Sequence, residues 1–243
     1  MTAPHDGRPD DEHDGAASFA AVGVGARLPS VPPDDGAVRL VLVRHGRTPS
    51  NVRHALDTGL SGPGLDELGH EQARAVAGLL GGWPVRALYA SRAVRAQETA
   101  APIGEVLGLD VRSLPGAHEV YVGELDRRAD DDAREIFDGI FEAWWDGDVT
   151  RPMPGGESVQ DVWDRFLPDV STALEPVTSG AVVVVSHGAA IRLLTLALLD
   201  GPDAQFGRDN PIPNTGRVVL RRDPGGWTRE LWDPMPDRTP SSH

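Results

Sequence analysis

The chain has 243 residues, of which 40% are hydrophobic and 25% charged, and its formal net charge is −14 at pH 7. This acidic balance leaves no general basic field for nucleic acid and no basic patch for a membrane surface, so we expect neither partner. The N-terminus lacks the basic and apolar stretches of a secretory signal, and the longest aliphatic run, residues 181–185, is too short to span a bilayer. We therefore expect a cytoplasmic protein.

Two residue types are missing from the sequence. It has no cysteine, which excludes disulfides, cysteine–zinc sites and cysteine nucleophiles. It has no lysine either, because all 23 basic residues are arginine, and this excludes a Walker-type phosphate loop, a pyridoxal Schiff base and a Ser–Lys dyad. Any bound anion must be held by guanidinium, imidazole and backbone N–H groups. Arginine suits this task because its planar fork can hold a phosphate through two parallel hydrogen bonds.

The predicted elements begin after residue 37. Residues 1–37 are rich in Asp, Gly, Pro and Ala without sustained periodicity, which predicts a disordered acidic N-terminal tail. In chain order the apolar patterns and turn residues predict a strand at 38–43, a helix at 67–80, a strand at 87–90, a helix at 94–107, a strand at 111–114, helices within 129–147 and 157–175, a strand at 181–185, a helix at 189–199, and a hairpin of 217–221 with 227–232.

Strands that alternate with helices predict an α/β fold. We expect three layers around a doubly wound, mostly parallel sheet, with a helical insertion at 129–175 over the sheet edge and a C-terminal hairpin. One domain over residues 38–235 is the simplest arrangement, because no internal repeat is present.

Chemically active side chains follow the ends of the predicted strands. His45 comes after the first strand, next to Arg44, and His187 comes after the strand at 181–185. Arg95 lies at the start of the helix after the second strand, and Glu119 follows the third. Since ligands bind at the carboxyl ends of parallel strands, and helix N-termini there favour anions, these side chains are expected to share one crevice.

This set of residues fits phosphoryl transfer. A neutral imidazole can attack phosphorus and form a phosphohistidine, while arginine and a second histidine bind the charged oxygens. A carboxyl group is a common proton source for the leaving alkoxide, and Glu119 is our candidate. His118, Glu124 and Glu157 compete with it for this role, so the choice stays open at this point.

The motifs match a known family. The run Arg44-His45-Gly46-Arg47-Thr48 with Asn51 resembles the signature of the histidine phosphatase superfamily, in its phosphoglycerate mutase-like branch. The resemblance covers roughly residues 38–222, in the family's order, and is carried further by Leu68-Gly69, Gln72-Ala73, Ser91-Arg92-Ala93-Val94-Arg95-Ala96, Thr99-Ala100, Gly155-Gly156-Glu157-Ser158 and Ser186-His187-Gly188.

The resemblance implies roles for the site residues. It implies that His45 is the phosphorylated nucleophile and that Arg44, Arg95 and His187 bind phosphate, with Asn51 as a further contact. It places the proton donor where Glu119 stands. It implies a small phosphorylated substrate and neither a metal nor an organic cofactor.

Two segments depart from the glycolytic mutases of that branch. One is residues 52–64. The other is the Trp-rich run 141–145, and we expect this run to form a lid or a pocket wall. We therefore favour a phosphatase over a phosphomutase. A phospho-ligand-binding module without turnover, and a metallohydrolase built on His45, His187 and Glu119, are the other hypotheses. The sequence predicts neither the substrate nor the oligomeric state.

Overall fold

The computed structural model describes residues 35–235, which form six strands and seven α-helices. The strands are β1 (Val38–Arg44), β2 (Val85–Ala90), β3 (Val111–Ser113), β4 (Gly180–Ser186), β5 (Arg217–Asp223) and β6 (Gly226–Trp232). The helices are α1 (Pro49–Val52), α2 (Glu67–Leu80), α3 (Val94–Leu107), α4 (Asp131–Trp145), α5 (Val159–Leu174), α6 (Gly188–Leu198) and α7 (Gly201–Asp209). The predicted tail lies outside the described residues except at 35–37, so it stays a prediction.

The strands form one mixed sheet in the order β3-β2-β4-β1-β5-β6. In this order the strands from β3 to β1 are parallel to one another. Strand β5 is antiparallel to β1, and β6 is antiparallel to β5. The predicted α/β fold with a mostly parallel sheet and a C-terminal hairpin is confirmed. Because Arg44 pairs with Ser186, the chain leaves β1 and β4 at the same edge, and this places His45 beside His187.

Both faces of the sheet are covered by helices, as the three-layer prediction requires. Side chains alternate along β1, so Leu40 and Leu42 enter the core under α5, α6 and α7, while Val41 and Val43 enter the core under α2 and α3. A strand buried on both faces has a mostly apolar sequence, which is why the runs 40–43 in β1 and 181–185 in β4 are easily recognised.

The helical insertion is smaller than expected. Helix α5 packs Phe166 and Val170 into the core on one face of the sheet, so it belongs to a helix layer. The part that stands outside the layers is α4 with its flanking loops. Among the helices at 35–235, none combines the length and the apolarity that a membrane crossing requires.

The Trp-rich run of α4 lies in a core of its own. Phe141, Trp144 and Trp145 are buried together with Val120 and Met153. The indole Nε1 of Trp144 donates to the carbonyl of Arg151 at 2.7 Å, which satisfies its one polar atom. The expectation of a lid or a pocket wall at 141–145 was therefore wrong, because the helical spacing of these side chains turns them inward.

Candidate active site

His45 is buried directly after β1, with 4% of its surface exposed. Its Nδ1 lies 2.7 Å from the carbonyl oxygen of Gly46. Since a carbonyl oxygen can only accept, Nδ1 carries the proton and Nε2 keeps its lone pair. Burial lowers the pKa of His45 well below its ordinary value, and the charges of Arg95 and Arg44 lower it further. The ring is therefore neutral at pH 7, with one nitrogen able to act as a nucleophile.

The backbone around His45 is fixed by neighbouring segments. The N–H of Thr215 donates to the carbonyl of Arg44 at 3.0 Å, and Nδ2 of Asn214 donates to the carbonyl of His45 at 3.1 Å. The N–H of Gly46 donates to Oγ1 of Thr99, on α3, at 2.9 Å. These bonds hold the loop after β1 from two sides, so the imidazole has a defined position.

His187 is fully buried at the start of α6, and its ring centroid lies 5.2 Å from that of His45. Its Nε2 is 3.0 Å from Oγ of Ser91, whereas its buried Nδ1 has no hydrogen-bond partner among residues 35–235. Burial lowers the pKa of His187 well below its ordinary value, and the charge of Arg95 acts in the same direction. If Nε2 accepts from the serine hydroxyl, Nδ1 carries a proton that can be donated to a ligand.

Arg44 supplies a second donor at the same place. Its Nη1 donates to the carbonyl of Ile212 at 2.6 Å, but its buried Nε has no partner in the described part of the chain. A Cβ added to Gly188 would lie 3.4 Å from this Nε, so the atom is close to the residue that follows His187. The two unpartnered nitrogen atoms thus belong to His187, which precedes α6, and to Arg44, whose Nε lies close to the first residue of α6.

Arg95 completes the group of positive charges. It is 2% exposed, and its guanidinium donates to the carbonyls of Gly59 at 3.1 Å and Asp57 at 3.3 Å. Burial lowers the pKa of Arg95, while the negative charges of Asp57 and Glu119 oppose this shift. Burying a guanidinium without a close carboxylate is costly, and such sites are typical of anion binding.

Glu119 is held at the N-terminus of α6. Its Oε1 accepts from the N–H groups of Val120 and Ala190, both at 2.9 Å, and its Oε2 accepts from the N–H of Ala189 at 3.3 Å. A helix N-terminus attracts a carboxylate because the first N–H groups have no partner within the helix. The charge of Glu119 also acts on Arg44 and Arg95, so it belongs to the same group of residues.

The sequence did not reveal the role of Arg165, on α5. Its guanidinium makes an ion pair with Glu157, at 2.8 Å and 3.0 Å, and donates to the carbonyls of His118 at 3.0 Å and Glu119 at 3.2 Å. It also donates to the carbonyl of Gly116. One side chain therefore ties the loop that carries Glu119 to the helix layer.

The other candidate proton donors differ in their surroundings. Both oxygens of Glu157 accept from Arg165, and one also accepts from the N–H of Tyr121 at 2.8 Å. Glu124 is exposed. His118 donates from Nδ1 to the carbonyl of Glu119 at 2.9 Å, and burial lowers its pKa. Glu157 is thus already bonded, and His118 is the nearest rival to Glu119.

Asn51 takes part in local structure. It forms a capping box with Thr48 at the start of α1, in which its Oδ1 accepts from the N–H of Thr48 at 3.2 Å. The same oxygen accepts from Nδ2 of Asn214 at 3.0 Å. Only the amide nitrogen of Asn51 is left to meet a ligand, so the predicted phosphate contact would have to be made there.

The loop before β5 contributes to the site and was not expected to. Ile212, Asn214 and Thr215 all bond to the end of β1 or to His45. Because β5 is antiparallel to β1, its N-terminal end lies at the edge where the parallel strands finish. The predicted hairpin could have indicated this contribution, because an antiparallel strand next to β1 brings the loop before it to the edge where the parallel strands end.

A metal centre was the basis of one alternative. Among residues 35–235, no group of three or more His, Cys, Asp or Glu side chains has an arrangement that could hold a metal ion. His45, His187 and Glu119 therefore do not form such a group.

Comparisons with known proteins show which proteins this chain is similar to. A family model described as the histidine phosphatase superfamily (branch 1) matches residues 40–234. A PE-PGRS family protein of Mycobacterium tuberculosis is 33% identical over 216 residues, which are 80% of this chain but 36% of that protein. The chain thus spans only 36% of the length of that relative.

Two further relatives have names that describe an activity. The glucosyl-3-phosphoglycerate phosphatase of Mycobacterium tuberculosis is 37% identical over 182 residues, 70% of this chain and 79% of that protein. A solved structure of the mycobacterial glucosyl-3-phosphoglycerate phosphatase with VO3 aligns with a TM-score of 0.68 and 31% identity, over 81% of this chain and 99% of that one. A 2,3-bisphosphoglycerate-dependent phosphoglycerate mutase of a Chelativorans species is 36% identical over 195 residues, 76% of this chain and 92% of that protein.

Proposed function

The chain belongs to branch 1 of the histidine phosphatase superfamily, and from this premise we propose that it hydrolyses a small phosphate monoester through a phosphohistidine on His45. Membership confirms the enzyme class predicted from the sequence, a phosphoric monoester hydrolase, since relatives are named phosphatases. One observation carries the mechanism. The buried, neutral ring of His45 is bonded through Nδ1 to Gly46, so its Nε2 has a free lone pair next to the positive charges of Arg44 and Arg95.

In the first step, Nε2 of His45 attacks phosphorus and the bond from phosphorus to the alcohol oxygen breaks. Glu119, in its protonated form, gives its proton to that oxygen, so the alcohol leaves neutral and the phosphoryl group stays on Nε2. Charge on the three equatorial oxygens is stabilised by Nε of Arg44, Nδ1 of His187 and the guanidinium of Arg95. The unpartnered state of the first two atoms supports this assignment.

In the second step, water attacks the phosphohistidine. The Glu119 carboxylate takes a proton from the water as its oxygen bonds to phosphorus, and the phosphorus–nitrogen bond breaks. Inorganic phosphate leaves, His45 regains its lone pair, and Glu119 is again protonated. Each step uses only residues of this chain and water, with one group acting in turn as acid and base.

The central test is hydrolysis of p-nitrophenyl phosphate by the wild type and by His45→Ala. We expect this substitution to lower kcat by on the order of a thousandfold or more, because it removes the nucleophile. His70→Ala, an exposed histidine on α2, is the matched control and should leave kcat unchanged. Label from a radioactive phosphate ester should be trapped on the wild type in an acid-labile, base-stable form and should be absent from His45→Ala. Unchanged hydrolysis by His45→Ala would overturn the proposal.

A phosphomutase is the second candidate, because the Chelativorans relative bears that name and matches over 92% of its length. A mutase returns the phosphoryl group to its substrate-derived intermediate, whereas a phosphatase passes it to water. With 3-phosphoglycerate, a phosphatase releases inorganic phosphate without a primer. A mutase produces 2-phosphoglycerate and requires a bisphosphate primer, so analysis of the products separates the two.

A further inference from the structure

A hydrogen bond between Ser91 and His187 lies inside the protein, at the carboxyl ends of β2 and β4. Both residues are fully buried, and Oγ of Ser91 is 3.0 Å from Nε2 of His187. The register of the sheet brings them together, because Ala90 pairs with Val185 and the residues that follow the two parallel strands are neighbours. The N–H of Ser91 donates to the carbonyl of Val185 at 2.9 Å, and Nε2 of Gln97 donates to the carbonyl of Ser91 at 2.7 Å. The backbone of Ser91 is thus fixed from two sides.

The hydroxyl group of Ser91 can donate its proton in one direction. Its oxygen already accepts from the N–H of Ala93 at 3.3 Å. Among residues 35–235, the acceptor within hydrogen-bond distance of the hydroxyl is Nε2 of His187. If Nε2 carried a proton instead, the oxygen would accept two hydrogen bonds and the buried hydroxyl proton would have no acceptor. Buried donors are nearly always paired, so Ser91 donates to Nε2.

The direction of this hydrogen bond determines which nitrogen of His187 carries the ring proton. Because Nε2 accepts from Ser91, the proton of a neutral imidazole is on Nδ1. The ring is neutral because burial holds the pKa of His187 well below its ordinary value. Nδ1 is buried and has no partner in the described part of the chain, so its N–H is left for an oxygen of a ligand. In the other tautomer, Nδ1 would direct a lone pair at that oxygen and repel it.

We propose that Ser91 is a positioning residue, which fixes His187 in the tautomer that donates to phosphate. This inference rests on the proposed phosphatase reaction, in which Nδ1 of His187 binds a phosphoryl oxygen. Ser91 acts through the imidazole, because both hydrogen bonds of its hydroxyl group are made within the protein, to Ala93 and His187. The tautomer is important for catalysis, since the wrong one replaces a hydrogen-bond donor by an acceptor.

The tautomer of His187 can be measured directly in the wild-type protein by NMR. The protein is labelled with ¹⁵N-histidine and kept in phosphate-free buffer at neutral pH, and the ring signals of His187 are assigned by their absence from His187→Gln. We expect the chemical shift of a protonated nitrogen for Nδ1 and that of an unprotonated nitrogen for Nε2. In Ser91→Ala the proton should be shared between the two nitrogens, so their shifts should move toward each other. Ser91→Thr keeps a hydroxyl group and should keep the wild-type tautomer.

Kinetic measurements show whether the tautomer affects the reaction. Ser91→Ala should raise the Ki of inorganic phosphate and lower kcat/KM for p-nitrophenyl phosphate by about tenfold, because one hydrogen bond to a charged group changes affinity by roughly that factor or more. The loss should be the same with glycerol 3-phosphate, since His187 binds the phosphoryl group and not the leaving group. Ser171→Ala makes the same change at an exposed serine of α5 and should leave the Ki and both kcat/KM values unchanged.

The outcomes separate this proposal from the proposed function. A ring proton on Nε2 of His187 in the wild type would overturn the role of Ser91 and leave the phosphatase reaction standing. The role would also be overturned if Ser91→Ala lowered kcat/KM but kept the wild-type tautomer, or changed the tautomer but kept the wild-type kcat/KM. No release of phosphate from either substrate by the wild type would instead overturn the proposed function.

Discussion

Arg165→Met tests whether the loop of Glu119 must be held in place for catalysis. The substitution removes the ion pair with Glu157 and the hydrogen bonds to the carbonyls of Gly116, His118 and Glu119. Methionine fills a similar volume but cannot donate. The bonds from Glu119 to the N-terminus of α6 are kept, so the carboxyl group stays near the site while its loop loses its attachment to α5.

The cost in stability follows from the burial of the pair. The side chains of Arg165 and Glu157 are 17% and 19% exposed. Removing one partner from a fully buried pair costs about 3–5 kcal/mol. Partial exposure and the remaining hydrogen bond from Tyr121 to Glu157 reduce this, so we expect a loss of roughly 2–3 kcal/mol in the free energy of unfolding. For a domain of this size, Tm should fall by about 5–10 °C.

The effect of Arg165→Met on kcat is measured with two substrates that differ in their leaving groups. p-Nitrophenolate leaves without a proton, whereas the alkoxide of glycerol 3-phosphate needs one. We expect Arg165→Met to lower kcat for glycerol 3-phosphate by about tenfold more than for p-nitrophenyl phosphate, and Glu119→Gln to widen this gap to about 10²–10⁴. Glu157→Gln, which keeps an acceptor for Arg165, should have a smaller effect. Equal losses for both substrates in Arg165→Met would refute the positioning role and leave a purely structural one.

Two further predictions concern pH and packing. The free energy of unfolding should fall as the pH drops below about 6.5, because the unfolded chain protonates His45 and His187 while the folded state keeps them neutral. Each histidine lowers the free energy of unfolding by up to about 1.4 kcal/mol per pH unit until the pH reaches its folded pKa. The free energy of unfolding, measured by urea titration at several pH values between 5 and 7, should change less with pH in His45→Asn than in the wild type. An identical pH dependence would contradict the proposed effect of burial on His45. Gly69→Ala should lower both Tm and kcat, because its Cβ would clash with the carbonyl oxygen of Arg47. Gly78→Ala on the same helix meets nothing within 4 Å, so it should keep both values or raise Tm.

The proximity of His45, His187 and Arg95 could be predicted from the sequence, because each residue comes soon after the end of a recognisable strand. Strand β1 contains the apolar run 40–43 and β4 the apolar run 181–185, and the residue after each strand is a histidine. Once the strands are parallel, their carboxyl ends share an edge, so His45 and His187 become neighbours without any knowledge of loops. Arg95 follows from the same rule, since it begins the helix after β2.

The contacts from the other side of the site depend on pairing over long separations. Asn214 and Ile212 reach the end of β1 only because β5 lies antiparallel beside it. The turn between β5 and β6 can be recognised in the sequence, but no sequence signal shows that β5 pairs with β1 on its other side. The sequence likewise showed Trp144 as part of a Trp-rich run without indicating that it would be buried in one core with Val120.

The proton donor shows how structure narrows a choice that sequence leaves open. Four side chains at 118–157 were candidates, and residue type alone does not separate the carboxyl groups. What separates them is where their lone pairs are used. Glu157 accepts from Arg165 with both oxygens, so protonating it would break an ion pair that holds the loop. Glu119 accepts only backbone N–H groups. No side-chain ion pair within residues 35–235 has to break when Glu119 binds a proton, and this is why we propose it as the acid.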